Sequence, residues 1–264
     1  SFVDETQLES ESLDNPSGKM VQFRKRQVAY TYDANNQLLI AAESMYDADN
    51  AYVIGKRTDY TYDPNGNQYM STSSVIRPDM SDGGIMGLES YSEHMSSAAW
   101  VTQSEYDGFG RLTRMTQTKS GVQTETCFTY NGDGLRQSKT VNNAEGSKTT
   151  TYLYDGQFVV SESGSYAATY VRGLSYIAKI GASNGVRYYL YNAHGDVTQV
   201  TDAAGVVRNR YEYDTFGETE LVVEEEENSI RYAGEMYDAS TGQYYLRARY
   251  YAPDIGRFTS ADRY

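Results

Sequence analysis

Few side chains here suit nucleophilic or general-base chemistry. The chain carries two histidines, His94 and His194, and one cysteine, Cys127. A catalytic triad or a Cys–His pair needs a histidine held against its nucleophile. His194 falls in Tyr191-Asn-Ala-His-Gly195 and reads as a turn residue, while His94 stands in an irregular stretch with no recognisable partner. Cys127 sits in the alternating run Glu125-Thr-Cys-Phe-Thr and reads as a small core residue. A lone cysteine provides no disulfide framework within the chain. The sequence shows no Gly-rich phosphate loop, no His-Glu-x-x-His, no paired cysteines and no Gly-x-Ser-x-Gly. No cofactor and no metal are therefore expected. Aspartates followed by Asn-Gly hint at calcium loops, but they lack the twelve-residue ligand spacing and its closing glutamate.

The aspartates belong to a different pattern. A Tyr-Asp pair followed by Gly recurs as Tyr62-Asp63-Pro-Asn-Gly66, Tyr106-Asp107-Gly-Phe-Gly110, Tyr154-Asp155-Gly156, Tyr213-Asp214-Thr-Phe-Gly217 and Tyr237-Asp238-Ala-Ser-Thr-Gly242. Degenerate copies lie at Tyr32, Tyr46, Tyr130 and Tyr191, and several copies are 22 to 24 residues apart. A fixed period of that size marks a repeat architecture. Each unit reads as an alternating run, a turn and a second alternating run, as in Thr102–Tyr106, Asp107–Gly110 and Arg111–Thr118. Asp, Asn and Gly supply the turn conformations, and Thr, Tyr and Val suit strands. In this reading tyrosine ends the strand and stacks on its equivalent in the next copy, while the aspartate accepts backbone N–H bonds in the turn. One hairpin cannot bury its own face, so neighbours must stack. A long antiparallel sheet must also wind round or expose an edge.

Composition agrees. There are 27 tyrosines against 7 phenylalanines and one tryptophan, and the mean hydropathy is -0.66. Tyrosine can cover apolar surface while its hydroxyl stays hydrogen-bonded, replacing part of a conventional aliphatic core. A net charge of -13 disfavours nucleic acid and anionic membranes as partners. No apolar run approaches the length of a membrane-spanning helix. The start at Ser1-Phe2, without Met or a signal peptide, reads as a piece of something longer. Residues 1–20 read as a lead-in or linker, and 21–230 as the repeat region. An irregular insertion falls at about 77–100, with a short helix considered over Leu88–Ala98. The run Glu224–Glu227 reads as a solvated, mobile loop, because like charges repel.

Residues 231–264 carry a denser pattern. Tyr232, Gly234, Asp238, Thr241, Gly242, Tyr244, Tyr245, Arg249, Tyr250, Tyr251, Pro253, Gly256, Arg257, Phe258 and Asp262 stand at the spacing of the Rhs-associated core segment. With the Tyr-Asp repeats, this makes the chain resemble the Rhs/YD-repeat family over about residues 25–264. The segment 187–220 is typical of the same family.

The resemblance implies an all-β fold: YD-repeat hairpins in a wound antiparallel sheet forming part of a cocoon-like shell. Family members include the C components of bacterial Tc toxins and the animal teneurins. In the toxins the shell holds the protein's own C-terminal toxic segment. The core segment plugs one end and acts as an aspartyl autoprotease. The residues matching that site are Asp262 and, thirteen positions earlier, Arg249. An enclosed Asp262 would be desolvated and tuned for proton transfer, with Arg249 orienting it. A second carboxylate or a substrate-assisted route is required, and Asp254 and Asp238 are the nearby carboxylates. The chain has Arg263 where the family usually has proline.

The expected partners are the C-terminal toxin segment, the rest of the shell and secretion machinery, in a bacterial secreted or cell-surface setting. The competing reading is an extracellular adhesion or carbohydrate-binding module. Inward tyrosines support the shell, and a solvent-facing aromatic strip would support binding.

Overall fold

The computed structural model describes residues 2–6, 12–14, 20–47, 52–76, 100–182 and 185–262. The expected insertion, with His94 and the considered helix, lies outside them, apart from Trp100, which begins the strand Trp100–Tyr106. Among the described residues the chain is all-β and antiparallel, with two short 3-10 turns. It divides into two compact units, one of residues 1–103 and 117–122, the other of residues 104–116 and 123–264.

In the first unit, the expected lead-in contains the strands Phe2–Thr6 and Ser12–Asp14, both paired with Met20–Tyr32. That strand pairs in turn with Leu38–Asp47, Tyr52–Tyr62 follows, and Gln68–Ile76 comes after it. In Gln68–Ile76 the buried residues are Ser71, Ser73, Ser74 and Ile76, so burial alternates and then shifts face between Ser73 and Ser74.

The second unit is a meander in which each strand pairs with the next, from Val122–Tyr130 through Arg136–Asn143 and onward to Thr219–Glu224. Its core is built largely of tyrosine. Tyr152, Tyr170, Tyr176, Tyr189, Tyr211, Tyr245 and Tyr250 pack with Leu112, Met115, Phe128, Val159, Val197, Val200 and Ile230. Among described side chains, only Tyr69 and Tyr188 are exposed tyrosines.

The repeat turn has one geometry. In the copy at Asp214, Oδ1 accepts the N–H groups of Phe216 and Glu218, and Gly217 takes the left-handed conformation at φ 87°. The same pair of acceptances recurs at Asp33, Asp63, Asp107, Asn131 and Asn192. At Asp33 the left-handed position is Asn36, one of the few residues besides glycine that tolerate it.

Several details differ from the sequence reading. Asp202 makes the same turn without a preceding tyrosine. Tyr154-Asp155 leads instead into a two-residue turn, because Asp155 pairs directly with Phe158. Three of the copies are linked to the preceding one by a hydrogen bond. The hydroxyls of Tyr62, Tyr130 and Tyr213 donate to the carbonyls of Leu38, Leu112 and Val197 at 3.0, 2.6 and 2.9 Å. Each acceptor is the first residue after the preceding turn on that edge, so every such tyrosine ties two turns together. Some rings pair with a neighbour two residues away on one strand, as Tyr189 does with Tyr191 and Tyr211 with Tyr213, and others pair across strands, as Tyr170 does with Tyr176 and Phe128 with Tyr250.

Candidate functional site

The core segment runs along the edge of the second unit where the Tyr-Asp turns lie. It forms the strands Met236–Asp238, Gln243–Leu246, Arg249–Ala252 and Arg257–Phe258 in a small antiparallel sheet. One repeat turn grips it closely. The hydroxyls of Tyr232, Tyr251 and Tyr244 donate to the successive carbonyls of Thr215, Phe216 and Gly217 at 3.0, 2.9 and 3.2 Å. The neighbouring turn adds Asp196, whose carboxylate accepts from the Ala233 N–H at 2.8 Å and meets His194 Nδ1 at 2.7 Å. His194 thus occupies a turn, as expected, and its ring lies against that of Tyr232.

A buried ion pair fastens the other side. Arg136 and Asp238 have almost no exposed surface, and the guanidinium donates to the carboxylate. Lys139 Nζ reaches the second carboxylate oxygen at 2.8 Å. The Arg136 cation also lies 4.4 Å from the ring centres of both Tyr152 and Tyr245. Burial pushes the Asp238 carboxyl upward, but the charges of Arg136 and Lys139 outweigh it and hold it below its ordinary value. A carboxylate committed in this way is unavailable for proton transfer, which removes Asp238 as a second catalytic carboxylate. Sequence reading missed Arg136 and Lys139, because their partner lies about a hundred residues away.

Arg249 and Asp262 do meet, at 3.1 Å. Arg249 stacks on Phe258, 3.8 Å from its ring centre. Asp262 is 59% exposed, so the described residues do not provide the expected desolvation. Both residues line a cavity of about 560 Å³ with Arg111, Asp133, Gln157 and Arg247. Asp254 is exposed, in the 3-10 turn Pro253–Ile255. Cys127 is half-buried rather than a full core residue. Among the described residues no cluster of His, Cys, Asp and Glu is arranged to hold a metal ion.

The acidic run is solvated as expected, with Glu224, Glu225 and Glu227 exposed, and it is also paired with cations. Glu224 pairs with Arg231, Glu225 with Arg208 and Glu226 with Arg187. The Glu227 carbonyl accepts from the buried ammonium of Lys179. The like charges coexist because each carboxylate in these pairs has a cation within reach.

Residues 191–218 match the RHS Repeat family. The chain is 32% identical over 234 residues to the tRNA3(Ser)-specific nuclease WapA of Bacillus spizizenii, covering 79% of this chain and 10% of that protein. It is 36% identical over 166 residues to the tRNA(Glu)-specific nuclease WapA of Bacillus subtilis subsp. natto, covering 60% of this chain and 7% of that protein. The chain thus spans about a tenth or less of the length of these relatives. Its fold is similar to a chain in the crystal structure of TcdB2-TccC3-Cdc42, with a TM-score of 0.51 and 19% identity, covering 96% of this chain and 16% of that one. The turn geometry and these relatives lead to one conclusion: the chain belongs to the Rhs/YD-repeat family.

Proposed function

We propose that the chain forms part of a shell wall that encloses the parent protein's own C-terminal toxic segment, and that its core segment carries part of an aspartyl autoproteolytic plug. The observation that carries this reading is the docking of the core segment. Three tyrosine hydroxyls on one turn and the Arg136–Asp238–Lys139 cluster fix it against a tyrosine-lined face. The burial of the tyrosines supports a wall over an adhesive surface, since sugar stacking needs exposed rings and, of the described tyrosines, only Tyr69 and Tyr188 are exposed.

The two WapA proteins bear different tRNA specificities in their names yet both match this chain. That fits a shared housing with exchangeable cargo, carried outward from a bacterial cell. In the plug, Asp262 would act as proton acceptor and donor at the scissile peptide, with Arg249 orienting it. The second carboxylate, and the cover that desolvates Asp262, would come from the rest of the parent.

Intact-mass measurement of the parent protein tests the catalytic part. The wild type should split downstream of Tyr264, and the Asp262→Asn and Arg249→Ala variants should stay whole. A wild type that remains one chain, or an Asp262→Asn variant that still splits, would overturn the autoproteolytic reading.

A further inference from the structure

The strands of the second unit keep their charges off one face. Residues paired directly across neighbouring strands stand on the same side of a sheet. On the side away from the core segment, one row runs Leu153, Ser161, Thr169, Ile180 and Val186. The next row runs Val171, Ala178, Tyr188 and Thr201. The register places no charged residue on that side in any of the seven strands from Arg136–Asn143 to Val197–Thr201, in a chain where 22% of residues are charged. The charges of those strands lie elsewhere. Arg136, Lys139, Glu162, Lys179 and Arg187 are on the core side, and Lys148 is in register with them. Asp155 and Arg172 end their strands at turns. Charge resumes at the borders, with Glu125 beyond Asn142 and Arg210 beyond Gln199.

This face has an apolar centre. Val171 and Tyr188 flank the small Ala178, and Ile180 and Leu190 follow two residues on along their strands. The four large side chains are each between 42% and 45% exposed. Beside them lie hydroxyls bonded in pairs across strands: Thr129 with Ser138 at 2.6 Å, Thr140 with Thr149 at 2.9 Å and Thr151 with Ser163 at 2.7 Å. Each pair meets part of its hydrogen bonding within the sheet, which lowers the cost of covering it. An exposed apolar patch bordered by polar groups marks an interaction surface.

We propose that this face docks a second copy of the chain, sheet on sheet. A net charge of -13 opposes the approach of like copies wherever charge is exposed, and this face carries none. A twofold axis through the apolar centre would set Ile180, Tyr188 and their neighbours against the same residues of the other copy and leave the hydroxyl pairs at the rim. Seven strands spaced about 4.8 Å apart, over about 20 Å of their length, give roughly 600 Å² per copy and roughly 1,200 Å² for the pair. That is the lower bound of a specific interface, so the pair should be of about micromolar strength. The inference does not depend on the wall's enclosing a cargo.

Sedimentation equilibrium of the parent protein tests it. The wild type should dimerise with a Kd of about 1–10 µM. Raising sodium chloride from about 50 to about 500 mM should change that Kd by less than about threefold, because no charge is covered. Ile180→Lys sets like charges at the centre and should weaken the dimer at least about tenfold, with the melting temperature unchanged. Should the Ile180→Lys protein unfold at lower temperature, Leu190→Lys replaces it, with the same expectation. A parent that stays monomeric at about 100 µM, a dimer that the lysine leaves intact, or one that salt dissociates would overturn the proposal.

Labelling tells a second copy from any other occupant. In the Ile180→Cys parent, the thiol should react with a maleimide slowly above the Kd and faster as the protein is diluted below it. A thiol shielded at every dilution until denaturant is added would show the parent's own remaining chain covering the face, and would overturn the second copy. So would a monomer whose thiol is shielded only by an added neutral polysaccharide such as dextran, which would make the face a glycan site. Each of these outcomes leaves self-cleavage and enclosure to their own tests.

Discussion

Asp238 shows how position in the fold changes what a residue does. By sequence it is one more Tyr-Asp copy. In the structure its turn is made by the Asp238 carbonyl, which accepts from Thr241 and Gly242, so the carboxylate is free to bind Arg136 and Lys139. Removing one partner of a buried pair leaves the other charge uncompensated, at a cost of about 3–5 kcal/mol. Asp238→Asn should therefore lower stability by about that amount in urea unfolding, and far more than Asp133→Asn on an exposed turn. The pH dependence has a definite sign. The folded carboxyl is held below its unfolded value, so its contribution is complete above about pH 4 and is lost as pH falls through the lowered value. In urea titrations between pH 5 and pH 2, wild type should lose more stability than Asp238→Asn.

The turns were the most legible elements. Asp-x-x-Gly is a local code, because the carboxylate bonds backbone groups two and four residues on, and the sequence alone places most copies. What tyrosine does was not legible, since its acceptor lies one hairpin earlier. The turns' grip on the core segment was hidden for the same reason. Nor were the acidic run's partners Arg187 and Arg208, which come from other strands. Two glycines separate local from tertiary constraint. Gly205 and Gly217 both have positive φ, but a Cβ on Gly205 meets nothing, whereas one on Gly217 would lie 2.5 Å from the Tyr232 ring. Gly205→Ala should cost only the left-handed backbone penalty, about 1–2 kcal/mol. Gly217→Ala should cost at least about 1 kcal/mol more, because the core segment must shift, and thermal unfolding of the two variants measures the difference.

Across the molecule, a tyrosine-built core gives stability an alkaline limit. Burial raises the hydroxyls of Tyr170, Tyr189 and Tyr250 well above their ordinary value, and that of Tyr176 to about 12. Groups raised in the folded state stabilise it fully below their unfolded value, near 10, and that stability is lost as pH climbs beyond. Lys179 acts in the opposite sense. Burial lowers its ammonium to about 8 despite the surrounding glutamates, so its destabilising effect fades between pH 8 and 10.5. Urea unfolding should show Lys179→Met losing stability relative to wild type as pH rises from 8 to 10, while both collapse at higher pH. The all-β repeat architecture was readable from period and composition. The core segment's pattern was readable too, but its docking depends on contacts made across the whole unit.

The central claim is that the family wall houses the parent protein's own C-terminal segment. The direct measurement is size-exclusion chromatography of the self-cleaved parent, first in native buffer and then in denaturant. Enclosure predicts that the C-terminal fragment co-elutes with the wall under native conditions, resists added protease, and separates only once the wall unfolds. A fragment that elutes alone in native buffer, or is digested while the wall remains intact, would contradict the account.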